Sequence, residues 1–387
     1  MRVLSFVIVK PDLRSLTLAQ LQALCAELGW PRYTAAQVFT WLWQKGVDDL
    51  AAMTNLSKER RALLSERFSL LPPLSSLLST ASDDDGTTKF TFKLADGNII
   101  ESVLIGEGSG VLGFEGPGSM TRTPALSDRG LRGQPPDAGT PARRTVCVST
   151  QVGCKLGCTF CFTGTHGFRR DLSWHEIAAQ VLAVRSFVIR HSDFVITNVV
   201  FMGMGEPFLN YDATIEAAKT INAENGLGIG ARRITISTSG IPDGIRAFAR
   251  VEEQFRLALS LNASDDETRS RLMPVNKIHP LKDVMAAMRD YTDAKGKRVT
   301  FEYVLVDGIN NRDRDVKQLA ALLKGIPCKL NLIPLNPFAG CELTPPAPES
   351  VETFARKLWP HVPAVTVRRS KGASILAGCG QLAGLAG

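Results

Sequence analysis

Three cysteines, Cys154, Cys158 and Cys161, lie at Cys-x3-Cys-x2-Cys spacing, which lets one loop surround a single metal centre with thiolates. A closed structural zinc site needs four ligands, and this loop supplies three cysteines. An iron-sulfur cube held by three protein thiolates keeps one iron open, and that iron can bind a small molecule through two atoms. The spacing therefore favours a 4Fe-4S cluster. A zinc loop completed from a distance and three unrelated buried thiols are the alternatives.

The spacing of these cysteines resembles that of the radical S-adenosylmethionine superfamily. S-adenosylmethionine would offer the open iron its amino and carboxylate groups and accept an electron at its sulfonium. Gly153 and Gly157 can take positive φ, so the backbone can come close to a cluster. Phe160 and Phe162 are expected to shield the cluster from water, with ordinary core packing as the alternative.

Composition limits the class of protein. The chain has 387 residues, 44% hydrophobic and 21% charged, so it can bury a substantial core in one or two domains. No apolar run approaches the ~20 residues that cross a bilayer. The apolar stretch 3–9 is short and lacks a signal-peptide cleavage pattern. We therefore expect a cytoplasmic protein without a membrane anchor.

Cysteine usage and charge add two expectations. Eight cysteines are too few for a disulfide scaffold in a chain of this length, and four of them fall within fifteen positions, which favours metal or redox chemistry. The formal net charge is +7, with arginine doublets at 143–144, 169–170, 232–233 and 368–369. This balance suits a polyanionic partner such as RNA or DNA, although many basic proteins bind no nucleic acid.

The sequence divides into four predicted parts. Residues 1–75 show helical periodicity and are predicted to form an accessory domain. Residues 76–106 contain a β-hairpin with its turn at Asp96-Gly97, which links that domain to the rest. Residues 107–143 are rich in Gly, Pro, Ser and Arg without any period, which predicts a flexible insertion or loop. Residues 144–384 form the main domain and end in a segment that carries Cys379.

Strand and helix patterns alternate through the main domain, which indicates an α/β fold with a parallel sheet covered by helices. Helices are predicted over regions such as 281–291 and 315–324. Six or so βα units predict a partial (β/α)6 barrel, whose functional groups gather at the carboxyl ends of the strands. The predicted strands are 197–202, 233–237, 255–261, 299–305, 329–333 and 364–367.

Polar groups follow several of these strands. After the first strand, Gly203 and Gly205 allow close backbone approach, and Glu206 can accept a hydrogen bond from a ligand ammonium. Later strands are followed by Ser237-Thr-Ser-Gly, Ser260-Leu261-Asn262 and Asn336-Pro-Phe. Together these groups could hold a zwitterion and a ribose, and each could singly be a turn or a helix cap.

The ordered set of motifs resembles the RlmN family of radical S-adenosylmethionine rRNA methyltransferases over residues 16–384, apart from the insertion. The resemblance implies addition of a methyl group to C2 of an adenine in 23S rRNA, and in many members to an adenine beside the tRNA anticodon. It implies a monomer that receives electrons from a protein such as flavodoxin or ferredoxin. The matching elements are Cys147-Val-Ser-Thr-Gln-Val-Gly-Cys154, Gly-Met-Gly-Glu206-Pro, Ser237-Thr-Ser-Gly, Asn-Leu-Ile-Pro-Leu-Asn336-Pro-Phe and Ala-Gly-Cys379-Gly-Gln-Leu.

The same resemblance implies roles for individual residues. Cys379 would be methylated on sulfur, and a radical on that methyl group would attack C2 and leave an enzyme-RNA adduct. Glu101 would take the C2 proton, and Cys147 would release the product by forming a disulfide with Cys379. Without the family pattern, these three residues would be assigned as a tail thiol, a surface charge and a core thiol. The cluster ligands would be Cys154, Cys158 and Cys161, and S-adenosylmethionine would be held by Gly205, Glu206, Ser237, Ser260, Leu261, Asn262 and Asn336.

The sequence departs from the family pattern at three places. Asn262 replaces a common His, Phe162 replaces a small residue, and the insertion lengthens the link between Glu101 and Cys147. The related Cfr methyltransferases modify C8 of the same nucleotide, and Pro207 after Gly-Glu is more similar to RlmN. Two other functions stay open from the residues alone: a radical enzyme for a protein or small molecule, and a zinc-bound RNA-binding protein.

Overall fold

The computed structural model describes residues 10–70, 74, 76–106, 111–115, 143–192, 194–368 and 370–384. Its helices are α1 (Leu18–Glu27), α2 (Tyr33–Trp43), α3 (Lys58–Arg67), α4 (Phe162–Thr165), α5 (Trp174–His191), α6 (Tyr211–Asn222), α7 (Pro242–Ala249), α8 (Asp266–Leu272), α9 (Leu281–Lys295), α10 (Asp313–Leu323) and α11 (Pro348–Leu358). Its strands are β1 (Ser76–Ser82), β2 (Thr88–Lys93), β3 (Ile99–Ile105), β4 (Val111–Glu115), β5 (Arg143–Cys147), β6 (Gln151–Gly153), β7 (Phe168–Asp171), β8 (Val195–Phe201), β9 (Ile234–Thr238), β10 (Arg256–Ser260), β11 (Val299–Leu305), β12 (Cys328–Pro334) and β13 (Ala364–Arg368). Short 3-10 helices lie at Leu13–Ser15, Leu50–Ala52, Pro207–Leu209, Ala231–Arg233, Pro274–Lys277 and Trp359–His361.

Most of the strands form one sheet, in the order β1-β2-β3-β5-β8-β9-β10-β11-β12-β13-β4, while β6 and β7 pair separately. Within this sheet, neighbouring strands from β5 to β13 in the order given all pair parallel. One or two helices separate each pair of successive parallel strands, which produces six βα units and a closing strand. The predicted α/β architecture of a partial (β/α)6 barrel is therefore confirmed. The six predicted strands are all present, whereas β5 was missed because its two leading arginines do not suit a buried strand.

Residues of the parallel strands alternate between two environments. Ile236, Leu259 and Phe301 are fully buried against the covering helices. Their neighbours Ser237 and Ser260 point to the opposite side, where they line a cavity. Because side chains alternate along a strand, an apolar outer layer and a polar inner surface arise from the same short segments.

The predicted hairpin is confirmed as β2 and β3, which pair antiparallel. β1 was not predicted, and it adds a further antiparallel strand at the edge of the sheet. β3 also pairs antiparallel with β5, so that Val103 lies opposite Cys147. The hairpin is thus continuous with the barrel sheet rather than a separate linker.

The N-terminal helices pack on α5 of the barrel. The Thr17 hydroxyl accepts a hydrogen bond from the Gln20 backbone amide, and the Gln20 side-chain oxygen accepts one from the Thr17 backbone amide. This capping box starts α1. Trp43 is fully buried, and its ring lies 5.4 Å from that of Trp174 at the start of α5. Arg185 Nη2 donates to the Trp43 carbonyl at 2.9 Å. Among the helices of the described residues, none has the length and apolarity to cross a bilayer.

One part of the predicted insertion differs from expectation. Residues Val111–Glu115 form β4, which pairs antiparallel with β13. The sequence of this segment, Val-Leu-Gly-Phe-Glu, contains residues that favour strands, and the adjoining edge of β13 offers free backbone groups for pairing. The prediction of a loop is therefore wrong for these residues. The stretches 107–110 and 116–142 lie outside the described residues.

Candidate active site

Most of the site residues predicted from the sequence line one cavity at the carboxyl ends of the parallel strands. Because parallel strands end at a common edge, groups that are distant in sequence meet there. The predicted site residues that line it are Cys147, Cys154, Cys158, Cys161, Gly205, Glu206, Ser237, Ser260, Asn262 and Cys379. Three predicted site residues, Glu101, Leu261 and Asn336, lie outside this lining.

The loop that carries Cys154, Cys158 and Cys161 closes the cavity on one side. Burial raises the pKa of Cys154 to about 12 and also raises that of Cys158 well above its usual value, and repulsion with Cys161 adds to the Cys158 shift. The thiols are free, and no trio of ligand side chains in the described part of the chain has metal-ligand geometry. Three neighbouring thiols in an apolar wall suit a soft metal centre, because they lose their protons when they bind the metal. The donor set therefore fits a cluster held by three thiolates.

The two predicted shielding phenylalanines have different environments. Phe160 lines the cavity beside the cysteines, as expected. Phe162 starts α4, and its ring stacks on Phe338 with centroids 4.9 Å apart. Its amide donates to the Gly380 carbonyl at 2.7 Å, so this residue joins the cysteine loop to the C-terminal segment.

Glu206 is buried at the floor of the cavity. Its carboxylate accepts from Thr238 Oγ1 at 2.6 Å, the Ser239 amide at 2.7 Å and the Phe208 amide at 3.1 Å. Burial raises the pKa of Glu206, and these hydrogen bonds oppose the shift. These three bonds use most of the roughly four acceptor sites of a carboxylate. Gly205 beside it has φ of 98°, and a Cβ there would lie 2.5 Å from the Gln151 Cβ.

Cys147 ends β5 and is buried in the sheet. Burial raises its pKa to about 12, and the nearby Cys379 adds to this effect. Glu101 and Val103 are two residues apart on β3, so their side chains face the same side of the sheet. Because Val103 is the partner of Cys147, Glu101 and Cys147 belong to the same region of the sheet. The length of the insertion is therefore irrelevant to their relative position, because the β3–β5 ladder fixes it.

Glu101 is buried rather than exposed on the hairpin surface. Its carboxylate forms an ion pair with Lys89 at 3.1 Å. The same carboxylate accepts from the amides of Ala383 at 2.7 Å and Gly384 at 3.2 Å. It lies beneath the C-terminal segment, outside the lining of the cavity.

The C-terminal segment, residues 370–384, contains no helix or strand and places the exposed Cys379 in the cavity. Side-chain hydrogen bonds hold it in place. Asn336 Nδ2 donates to the Cys379 carbonyl at 3.0 Å, and Asn336 Oδ1 accepts from Ser370. Thr163 Oγ1 donates to the Leu382 carbonyl at 2.6 Å. Asn336 therefore supports the Cys379 segment from outside the cavity.

The residues after β10 differ in exposure. Leu261 is fully buried and belongs to the core. Asn262 lines the cavity with φ of 56°, in the left-handed region that Asn tolerates. Its Oδ1 accepts from the Val304 amide at 2.8 Å and its carbonyl accepts from Asn310. The Asn262 side chain is thus engaged in fixing the strand end.

The sequence matches two family models. The Radical SAM superfamily model covers residues 148–320, and a model described as "Ribosomal RNA large subunit methyltransferase N-terminal domain" covers residues 11–70. A "Probable dual-specificity RNA methyltransferase RlmN" of Thermotoga sp. (strain RQ2) is 42% identical over 96% of this chain and 97% of its own length. The chain belongs to the RlmN family.

Two further relatives agree with the RlmN family. The "Dual-specificity RNA methyltransferase RlmN" of Pelobacter propionicus is 39% identical over 97% of this chain and 96% of its own length. The crystal structure of a radical SAM methyltransferase from Sphaerobacter thermophilus superposes with a TM-score of 0.82 at 41% identity, covering 97% of this chain and all of that one. As a radical SAM methyltransferase of the RlmN family, the protein uses a 4Fe-4S cluster and S-adenosylmethionine.

Two cavity residues were missed by the sequence analysis of this RlmN-family chain. Glu302 lies on β11 with Oε1 bonded to Asn331 at 2.9 Å, while Oε2 is buried without a hydrogen-bond partner among the described residues. Arg368 lies 3.9 Å from the same carboxylate, and its positive charge acts on both Cys147 and Cys379. The signal for Glu302 was an acid at the centre of a buried strand, Val-Thr-Phe-Glu-Tyr-Val-Leu.

Proposed function

We propose that this protein methylates C2 of an adenine in 23S rRNA, and of an adenine beside the tRNA anticodon, through a methylated Cys379 and a transient Cys147–Cys379 disulfide. The observation that carries the proposal is that the three clustered thiols, Cys147 and Cys379 line the same cavity. The names of the relatives, which are RNA methyltransferases of dual specificity, support the substrate class.

Cys154, Cys158 and Cys161 are the proposed ligands of the cluster, because they are the thiols of one buried loop at the cavity wall. Glu206 would accept from the ammonium of S-adenosylmethionine. The serines Ser237 and Ser260 and the backbone at Gly205 and Asn262 would contact the rest of that molecule. When bound, the cluster and S-adenosylmethionine supply a radical that removes a hydrogen atom from an S-methyl group.

Cys379 is the proposed methyl carrier. The residue is exposed at the cavity, where it can reach a methyl donor; burial of the sulfur raises the pKa of its thiol, and the charge of Arg368 opposes that shift. In this methylation the thiol loses its proton and the sulfur forms a bond to the methyl carbon, which stays in the cavity. A carbon radical formed at this methyl group can add to the electron-poor C2 of adenine, whereas direct methyl transfer from a sulfonium does not readily occur there.

Glu101 and Cys147 would complete the reaction. The Glu101 carboxylate accepts hydrogen bonds from two backbone amides of the C-terminal segment. Movement of that segment would therefore free the carboxylate to take the proton from C2. The adduct would also give up its unpaired electron to a one-electron acceptor such as the oxidised cluster, and the Cys147 thiolate would then attack the Cys379 sulfur. The new S–S bond replaces the S–C bond to the product, and the released carbon takes a proton to become the methyl group.

The adenine must leave its base stack to reach the cavity, because C2 and Cys379 have to meet at the strand ends. We propose that the N-terminal helical domain helps to grip the RNA and that the enzyme acts as a monomer in the cytoplasm. A one-electron carrier protein such as flavodoxin or ferredoxin would reduce the cluster. The disulfide would have to be reduced after each turnover.

The test is anaerobic reconstitution with iron, sulfide, S-adenosylmethionine, a reductant and either a 23S rRNA fragment or a tRNA transcript. Nucleoside digests should contain 2-methyladenosine, and tryptic peptides should contain S-methylated Cys379. The matched control is Cys341→Ala, which removes a cysteine that is outside the cavity lining. Methylation at C8 alone, the absence of a modified nucleoside, or a protein that binds zinc and no iron would each contradict the proposal.

A further inference from the structure

Arg269 on α8 is a fully buried arginine whose hydrogen bonds join two strand-end loops of the cavity and the 3-10 helix Pro274–Lys277. Its Nε donates to the Leu261 carbonyl at 3.1 Å, and its Nη2 donates to the carbonyls of Ser239 and Ser260. Its Nη1 donates to Asn276 Oδ1 at 2.9 Å. One side chain thus ties the loop after β9 to the loop after β10, and both of these loops carry proposed contacts to S-adenosylmethionine.

The same helix anchors the cysteine loop. The Thr159 amide, one residue after Cys158, donates to the carbonyl of Leu272 at the last turn of α8 at 3.0 Å. Leu272 also packs with Cys158 and Leu156 in a small apolar cluster apart from the main core. Arg269 is one turn earlier on this helix, so α8 lies between the cysteine loop and the strand-end loops.

The guanidinium has no counterion in direct contact in the described part of the chain, because all four of its hydrogen bonds go to neutral oxygens. Burial lowers the pKa of Arg269 to about 10, and the thiolate form of Cys158 and the Asp266 and Glu206 carboxylates oppose the shift. The group is therefore positively charged at neutral pH. A buried cation without a directly bonded counterion is costly, so a further anionic group nearby would stabilise it.

A cluster carried by three thiolates is such an anionic group, and it gains one more negative charge when it is reduced. A fixed positive charge at short range in a low-dielectric site stabilises the reduced form more than the oxidised form. The close fit of the loop after β9 supports a fixed position, because a Cβ at Gly240 would lie 3.2 Å from Arg269 Nη2.

We propose that Arg269 is a positioning residue that holds the S-adenosylmethionine-binding loops against the cysteine loop and, by its charge, raises the reduction potential of the cluster. This inference rests on the proposed assignment of Cys154, Cys158 and Cys161 as cluster ligands. It is independent of which RNA or which adenine carbon is modified.

The test compares Arg269→Met, Arg269→Lys and the wild type as reconstituted, cluster-loaded proteins without RNA. The readouts are the iron content, the cluster potential from an EPR-monitored titration, and the affinity for S-adenosylmethionine. Arg269→Met should shift the potential to more negative values, by about the 59 mV that correspond to a tenfold change for a one-electron couple. It should also weaken S-adenosylmethionine binding at least about tenfold, since the loops lose their shared donor.

Arg269→Lys keeps the charge but not the planar set of donors. It should keep a potential near that of the wild type while still binding S-adenosylmethionine more weakly. Arg271→Met, an exposed arginine on the same helix, is the matched control and should change neither readout. An Arg269→Met protein that loads its cluster and shows an unchanged potential would overturn the electrostatic role.

If Arg269→Met cannot be loaded, the lysine variant decides. An Arg269→Lys protein that binds S-adenosylmethionine as tightly as the wild type would overturn the bridging role. An Arg269→Lys cluster potential about 59 mV or more below that of the wild type would overturn the charge role. A wild-type enzyme that makes no 2-methyladenosine would defeat the proposed function yet leave the potential and affinity differences intact. The two proposals can therefore fail separately.

Discussion

Cys147 and Cys379 lie at one cavity but are held in different ways. Cys147 is part of β5, with hydrogen-bonded strands on both sides, and is buried. Cys379 is exposed on a segment without regular structure, which side chains such as Asn336 and Thr163 hold in place. A strand in mid-sheet cannot shift without breaking two ladders, whereas the C-terminal segment is held by separate hydrogen bonds to several elements and by no ladder. The comparison indicates a fixed thiol and a movable thiol.

A movable Cys379 suits its proposed part in the reaction. Its sulfur would have to meet a methyl donor, then the RNA base and finally Cys147. A fixed Cys147 would have to meet only Cys379. In the proposed reaction the sheet would supply the stationary partner, and the C-terminal segment would supply the partner that changes position.

The largest expected effect separates the two thiols by the stage at which each is needed. Cys379→Ala should produce neither a methylated protein nor a methylated RNA. Cys147→Ala should still be methylated on Cys379, and it should accumulate a covalent RNA adduct because nothing displaces the product. Intact-protein mass spectrometry and denaturing gels distinguish these outcomes. Ordinary turnover by Cys147→Ala would mean that the fixed thiol is dispensable.

Glu101→Gln tests the carboxylate beneath the movable segment. The amide oxygen can still accept from Ala383, but the side chain can no longer take a proton, so RNA turnover should fall by about 10²- to 10⁴-fold. S-methylation of Cys379 should be unchanged. Lys89→Met is the matched control, because it removes the same ion pair and keeps the carboxylate. Equal losses in the two variants would assign Glu101 a structural role.

Alkylation with iodoacetamide tests the difference in exposure. In the cluster-loaded enzyme near pH 8, Cys379 should react at least about tenfold faster than Cys147, since reactivity follows access and Cys379 is the exposed residue. Burial raises the pKa of Cys147 to about 12, so its thiolate fraction should increase about tenfold per pH unit from pH 7 to pH 9. Peptide mass spectrometry reports both rates. A pH-independent Cys147 rate would show that opening of the structure, and not ionisation, limits its reaction.

The smallest expected effect comes from Asn336→Ala, which removes the hydrogen bond to the Cys379 carbonyl. A bond of this kind contributes about 0.5–1.5 kcal/mol, so turnover should fall by no more than about tenfold. Hydrogen exchange should increase over residues 376–384 and stay constant in β5. Asn311→Ala is the control, as it loses bonds to Asp307 and Ser350 away from the cavity. Increased exchange in β5 would contradict the division into fixed and movable thiols.

The sequence predicted the regular parts of the fold well, because their signals are local. Alternating patterns and the Asp96-Gly97 turn located the hairpin, and buried apolar runs located the strands from β8 to β13. The strand Val111–Glu115 was wrongly assigned to a loop, and β1 was not predicted. Both lie at edges of the sheet, where strand formation depends on the neighbour that is available for pairing.

The candidate site was predicted unevenly for the same reason. Spacing pointed to the cysteine loop, and family motifs pointed to most of the cavity residues. Glu302 had a local signal as an acid in a buried strand, whereas nothing local marked Arg269 or Arg368 as members of the site. Their significance comes from burial and from partners that are far away in sequence.

By itself, the sequence pointed to cluster chemistry, because three closely spaced thiols lie within a few residues, and the role of Cys379 came from the family motifs. Only the tertiary structure decided which thiol is fixed, where Glu101 lies and which charges surround the cysteines. The physical reason is that ladder pairing, burial and electrostatic proximity are properties of segments brought together by folding. The β3–β5 ladder and the position of α8 beside the cysteine loop are the two clearest instances.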